Sequence, residues 1–138
     1  MANHTITFDW ESNVAYPVNL IVNQGATFKD QFNVKDPSGA AYSLATRAAG
    51  ASGNWMVAGA LVKSVAIGAS YITDDLSFTV GFTSATDGQF ICSLTPTQTR
   101  SLNPGRHVFD ILISSGATTW RLCEGQVMVN AGIATVPS

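Results

Sequence analysis

Short runs that alternate polar and apolar residues, each cut off by a Gly, Pro, Asn or Asp turn signal, most restrict what this chain can fold into. Period-two alternation is the pattern of a half-buried strand. Thr5-Ile6-Thr7-Phe8-Asp9-Trp10 shows it first, with Ile6, Phe8 and Trp10 on one face. Val18 to Val22 is a second apolar run, entered through Pro17. After an Asn23-Gln24-Gly25 turn, Thr27 to Val34 places Phe28, Phe32 and Val34 on one side. Asp36-Pro37-Ser38-Gly39 is a strong turn tetrapeptide, because Pro presets its φ and Gly tolerates a positive one.

The middle is less regular. Ala45 to Gly53 is rich in Ala and Gly, and Ala45 to Ala49 reads as a helical turn that Gly50 and Gly53 prevent from lengthening. Trp55 to Val65 and Ser77 to Phe82 read as strands, with residues 68–75 as an exposed loop between them. The last third is clearer. Gln89 to Leu94 follows the Asp87-Gly88 turn and points Phe90, Cys92 and Leu94 one way. Thr95 to Arg100 reads as one capped helical turn, with Thr95 as N-cap and Pro96 at the first helical position. Leu102 would pin that turn to the core.

Arg106 to Ile113 then pairs with Thr118 to Val129 across a Ser114 to Ala117 hairpin loop. The return strand carries Trp120, Leu122 and Met128 on one parity and Cys123, Val127 and Val129 on the other. Apolar residues on both faces imply a central strand or an interface. The expected fold is all-β: an antiparallel β-sandwich of about eight or nine short strands with one short helical turn. Residues 1–16 form an N-terminal arm or first strand, and residues 17–138 the sandwich. Phe90, Leu94, Leu102, Phe109 and Leu122 are expected in one core.

Composition narrows the function. A chain of 138 residues is the size of one domain. Charged residues make up 12% of it, about half the usual share, while 46% are hydrophobic, so it is not a disordered chain. A net charge of -2 leaves no basic surplus for a nucleic-acid backbone. No apolar stretch approaches the roughly 20 residues of a membrane span, and Met1 to Thr5 does not begin a secretory signal. Cys92 and Cys123 lack metal-ligand spacing and read as reduced thiols packed as small hydrophobes, with a disulfide as the lesser alternative.

Few side chains are placed for chemistry. The two histidines are His4, in a mobile arm, and His107, a surface or turn-packing residue beside Arg106. No serine sits in a nucleophile elbow. Asp74-Asp75 lacks the further ligands of a calcium loop, and Asp9 and Glu11 read as a polar strand face. Trp10, Trp55 and Trp120 are core anchors before they are binding residues. The expectation is no catalytic residue, no cofactor and no metal.

One ordered set of elements goes further. It runs from Asn23-Gln24-Gly25-Ala26-Thr27-Phe28 through Val34-Lys35-Asp36-Pro37-Ser38-Gly39, Tyr42-Ser43-Leu44 and Thr46-Arg47-Ala48. It continues with Asp87-Gly88-Gln89-Phe90, Leu94-Thr95 and Thr99-Arg100-Ser101-Leu102. It ends with Pro104-Gly105-Arg106-His107-Val108-Phe109-Asp110, Trp120-Arg121-Leu122 and Gly125-Gln126-Val127-Met128-Val129. In order and spacing the set resembles a family of small β-sandwich proteins of tailed-phage virions, and is similar to the N-terminal domain of baseplate upper proteins. The resemblance implies a non-enzymatic virion component in the tail or baseplate, assembled in the host cytoplasm. Its partners would be other virion proteins and further copies of itself, with neither nucleic acid nor membrane bound. A capsid decoration protein is the nearest alternative. Composition alone would also suit a carbohydrate-binding sandwich, which needs a line of exposed aromatics.

Two pairings are expected within this frame. Asp110 and Arg121 can meet across the closing hairpin. The arm has no local hairpin partner, so it either joins a distant strand of its own sandwich or adds to the sheet of a neighbouring subunit. In the second case Ile6, Phe8 and Trp10 are the candidate intermolecular contacts.

Overall fold

Alternation becomes sheet wherever a turn brings two runs side by side. The computed structural model describes residues 2–9, 11, 14–45, 55–63, 76–115 and 118–132. Its strands are β1 (Ala2–Thr7), β2 (Tyr16–Pro17), β3 (Leu20–Asn23), β4 (Phe28–Lys35), β5 (Met56–Lys63), β6 (Leu76–Ser77), β7 (Thr79–Ser84), β8 (Gln89–Leu94), β9 (Gly105–Ser115) and β10 (Thr118–Asn130). One helix, α1 (Pro96–Arg100), stands between β8 and β9. The first sheet runs β1-β4-β8-β7. In the second, β2 and β3 both flank β10, followed by β9, β5 and β6.

The expected all-β sandwich forms, with mixed pairings. β1 lies parallel to β4, and β2 and β3 lie parallel to β10. The remaining ladders are antiparallel. A tight hairpin forces its two strands antiparallel, but these first strands pair with segments far along the chain, so no turn sets their direction.

The inner faces share one core. Ile6, Phe32, Phe90 and Leu94 come from the first sheet, and Leu61, Phe109, Ile111, Ile113 and Val127 from the second. The five residues expected to meet there do so: Phe90, Leu94, Leu102, Phe109 and Leu122 are all buried in the same cluster.

Local chemistry decides the connections. Thr95 caps α1 through a capping box: its hydroxyl accepts from the Gln98 N–H at 3.2 Å, and the Gln98 side chain accepts from the Thr95 N–H at 2.9 Å. Thr99 of this helix is buried and donates to the Ala26 carbonyl at 2.9 Å, so the helix docks on the turn before β4. Asp36 closes its turn by accepting from the backbone N–H of Ser38 and Ala40 at 2.9 and 3.0 Å. Gly88, at φ +69°, sits so close under the Tyr42 and Val34 carbonyls that no side chain fits there.

Three expectations change. The run from Ser77 to Phe82 is two strands, because the chain switches sheets at Phe78. Phe78 is buried, and its N–H donates to the Gly59 carbonyl at 2.8 Å. The return strand β10 carries a bulge between Arg121 and Cys123, which pair with the consecutive residues Leu112 and Ile111. The bulge flips the side-chain phase, so Trp120 and Leu122 before it share one inward face with Cys123, Val127 and Val129 after it, while Met128 points outward. Of the run from Val18 to Val22 only Leu20 onward is strand, in β3, and β2 precedes the run. Val18 lies between them, its N–H donating to the Glu124 carbonyl at 3.0 Å. The helical turn expected at 45–49, the 68–75 loop and the Asp74-Asp75 pair lie outside the described residues, apart from Ala45.

Candidate interaction surface

The second sheet carries apolar residues on both faces. The register of β5, β9 and β10 sets the outward side chains in rows. Ala58, Leu112 and Arg121 form one row; Ala60, Asp110 and Glu124 the next; Val62, Val108 and Gln126 the third. Beyond them Arg106 and Met128 pair, with Ile21 of β3 beside Met128. A sheet covered on one face and wet on the other alternates apolar and polar residues. Here the outward positions of β5 are instead Met56, Ala58, Ala60 and Val62. Ile21 is 64% exposed, Met56 60% and Met128 48%, and Val108 and Leu112 are also exposed. A depression of about 800 Å³ crosses this face, lined among others by Pro17, Ala60, Val62, Val108, Asp110 and Glu124. Contiguous exposed apolar surface of this kind marks interaction sites.

Charge on the face is sparse and ordered. Arg121 Nε lies 3.4 Å from Asp110 Oδ2, so the expected hairpin pair forms. Arg121 Nη1 also donates to Glu124 Oε2 at 3.4 Å. These groups are about half exposed, so the contacts contribute little to stability, about 0–1 kcal/mol each. Two carboxylates against one guanidinium leave that part of the face net negative. Arg106 is exposed and has no ion pair among the described residues.

The arm residues nominated from sequence lie elsewhere. β1 pairs with β4 of its own chain, and Ile6 and Phe8 are 0% and 4% exposed. Phe8 makes edge contacts with Tyr42, Trp55 and Trp120 at centroid distances of 5.3, 6.2 and 5.6 Å. Trp10 lies outside the described residues. His4 is held rather than mobile: its Nε2 lies 2.8 Å from Asp30 Oδ2, and its ring stacks on Phe32. Both partners lie on the inner side of the sheet, where this hydrogen bond also ties β1 to β4.

The remaining candidates are structural. His107 is fully buried on the inward side of β9, not on the surface or in a turn, because the strand begins at Gly105 and odd-numbered residues point inward. Asp9 accepts from the Glu11 N–H at 3.0 Å, so it shapes a turn rather than a polar strand face. Trp55 is 7% exposed and stacks on Trp120 at 5.4 Å. Cys92 and Cys123 are free, buried thiols. Burial, helped by the nearby Asp30 charge, pushes the Cys92 thiol up to about 12. Burial raises that of Cys123 further still, with Cys92 as the next contributor. Among the described residues no three His, Cys, Asp or Glu side chains converge as metal ligands, and no helix is long and apolar enough to cross a membrane. The outward apolar face was not singled out from sequence. Its signal was the run Met56-Val57-Ala58-Gly59-Ala60-Leu61-Val62, which lacks polar alternation.

No family model matches the chain, and no curated protein matches it. Among solved structures it is similar to the N-terminal domain of phage TP901-1 ORF48, with a TM-score of 0.47 at 12% identity. That likeness covers 94% of this chain and 99% of the other.

Proposed function

We propose that this chain is a non-enzymatic structural component of a phage virion, positioned in the tail or baseplate and acting through protein–protein contacts. The observation that carries the contact role is the outward face of the second sheet, where Ile21, Met56, Val108, Leu112 and Met128 stand exposed around a shallow depression. A lone soluble domain gains nothing from such a face, whereas a subunit in a larger particle covers it. The virion assignment is supported by the ordered elements between Asn23 and Val129 that resemble small tailed-phage sandwich proteins. Several of these are working parts of the fold. The Asp36 to Gly39 turn is closed by its own side chain, and α1 is capped by Thr95. Gly125 accommodates the Val18 carbonyl.

Gold-labelled antibody against this chain, applied to purified particles of the phage that encodes it, tests the reading. Label at the tail end of the particle is expected. Label over the head shell would make the chain a capsid decoration protein. Absence of the chain from purified particles, by labelling and by mass spectrometry, would remove it from the virion altogether.

A further inference from the structure

The outward face of the second sheet has a charge order that suits a second copy of itself. Along β9 the outward residues are Arg106, Val108, Asp110, Leu112 and Ser114. Among the described residues Arg106 leaves one end positive. Two positions beyond Val108 in the other direction, Asp110 and Glu124 share the single cation Arg121 and leave that row negative. Val108 lies midway, in a row with Val62 and Gln126 that carries no charge.

We infer that two copies pack these faces together about a two-fold axis that crosses β9 at Val108, lying in the plane of the interface and perpendicular to the strands. A two-fold contact requires a self-complementary patch, in which residue i meets j and j meets i. With the axis over Val108, the two Val62-Val108-Gln126 rows stack on each other. Arg106 of each copy then lies over Asp110 and Glu124 of the other. Met128 of each copy then lies over Glu124 of the other, and Ile21 over Pro17 at the edge of the depression. Two equivalent charge contacts form across an apolar centre, so attraction and register come from the same pattern.

With the axis at Val108 the two faces overlap from Arg106 on one side to Asp110 on the other, roughly 14 Å along the strands and about 19 Å across them, or about 260 Å² per copy in flat projection. That is well below the roughly 1,200 Å² in total of a stable specific interface, so the dimer is a weak one that forms towards submillimolar concentration. The inference does not depend on the virion reading: it concerns the isolated chain in solution.

Sedimentation equilibrium of the purified chain, over micromolar to submillimolar concentration and at low and high salt, tests it. A dimer that weakens with added salt is expected. Arg106→Glu alone and Asp110→Lys alone should each weaken association by more than about tenfold, and the combined charge swap should restore much of it. Val108→Lys, placed on the axis, should give a monomer whose circular dichroism and melting temperature match the parent. A monomer at every concentration overturns the inference. So does a dimer indifferent to both charge reversals, which would use another surface such as the β7 edge. A monomer that uses this face only for a different protein overturns it as well.

Discussion

Leu122 and Cys123 are neighbours in the chain and both point into the core, 1% and 0% exposed. Consecutive strand residues normally face opposite ways. The bulge at this point lets Arg121 and Cys123 pair with consecutive residues of β9, which leaves Leu122 as the extra residue and resets the phase of the rest of the strand. Before it, Trp120 and Leu122 turn inward; after it, Cys123, Val127 and Val129 do, and Met128 is outside.

Core and face should therefore respond differently to truncation. Phe109 and Leu122 are buried, so Phe109→Ala should cost about 3–5 kcal/mol and Leu122→Ala about 2–5 kcal/mol. Leu112→Ala, on the outward face of the same hairpin, should stay within roughly 0.5 kcal/mol in the monomer. Urea melts of the three variants would check the order. A loss below about 1 kcal/mol for Phe109→Ala would contradict its burial.

Two glycines make a paired test. A Cβ on Gly125 would run into the Val18 carbonyl, a backbone atom fixed by the hydrogen bond from the Val18 N–H to Glu124. Gly125→Ala should destabilise by more than about 2 kcal/mol and loosen β2 and β3 from β10. Gly81, in β7, has open space where its Cβ would be. Gly81→Ala should be neutral or stabilising by up to about 1 kcal/mol. Hydrogen exchange at Val18, Ile21 and Val22 would report the local effect in the first case.

The thiols give a pH dependence. Burial keeps Cys92 and Cys123 protonated in the fold well above the ordinary thiol value of 9.0. A group with a raised folded pKa stabilises fully below its unfolded pKa and loses that contribution as pH rises. Stability should accordingly fall from about pH 9 upward towards about 12, and less steeply in a Cys92→Ala, Cys123→Ala variant measured against its own neutral-pH value. At pH 8 neither thiol should react with iodoacetamide until denaturant is added. Rapid alkylation of the native chain would count against the buried placement.

The arm is testable by deletion. Removing residues 2–9 takes away the β1–β4 ladder, buried Ile6 and Phe8, and the His4 partner of Asp30. Burial of the two side chains alone is worth roughly 1.5–3 kcal/mol each, so the melting temperature should drop clearly. An unchanged melting temperature, with loss of assembly, would return the arm to an intermolecular role.

What the sequence by itself determined was the local chemistry. The capping box of Thr95 and Gln98, the Asp36 to Gly39 turn and the inward face of β8 each depend on residues within a few positions of one another. For such features, spacing and side-chain type are the whole cause. Even the Asp110–Arg121 pair followed from one hairpin. The tertiary structure alone decided what depends on distant partners. β1 found β4, and β2 and β3 found β10, in parallel, because backbone groups left open by the hairpins accepted them from across the chain. Phe78 changed sheets to fill the core opposite Phe109, its ring 6.3 Å away. His107 was buried by strand phase, and the bulge at Leu122 turned an ambiguous parity into one inward face. Alternation says that a strand has two sides; only packing against the rest of the chain says which side is inside, and which apolar side remains for a partner.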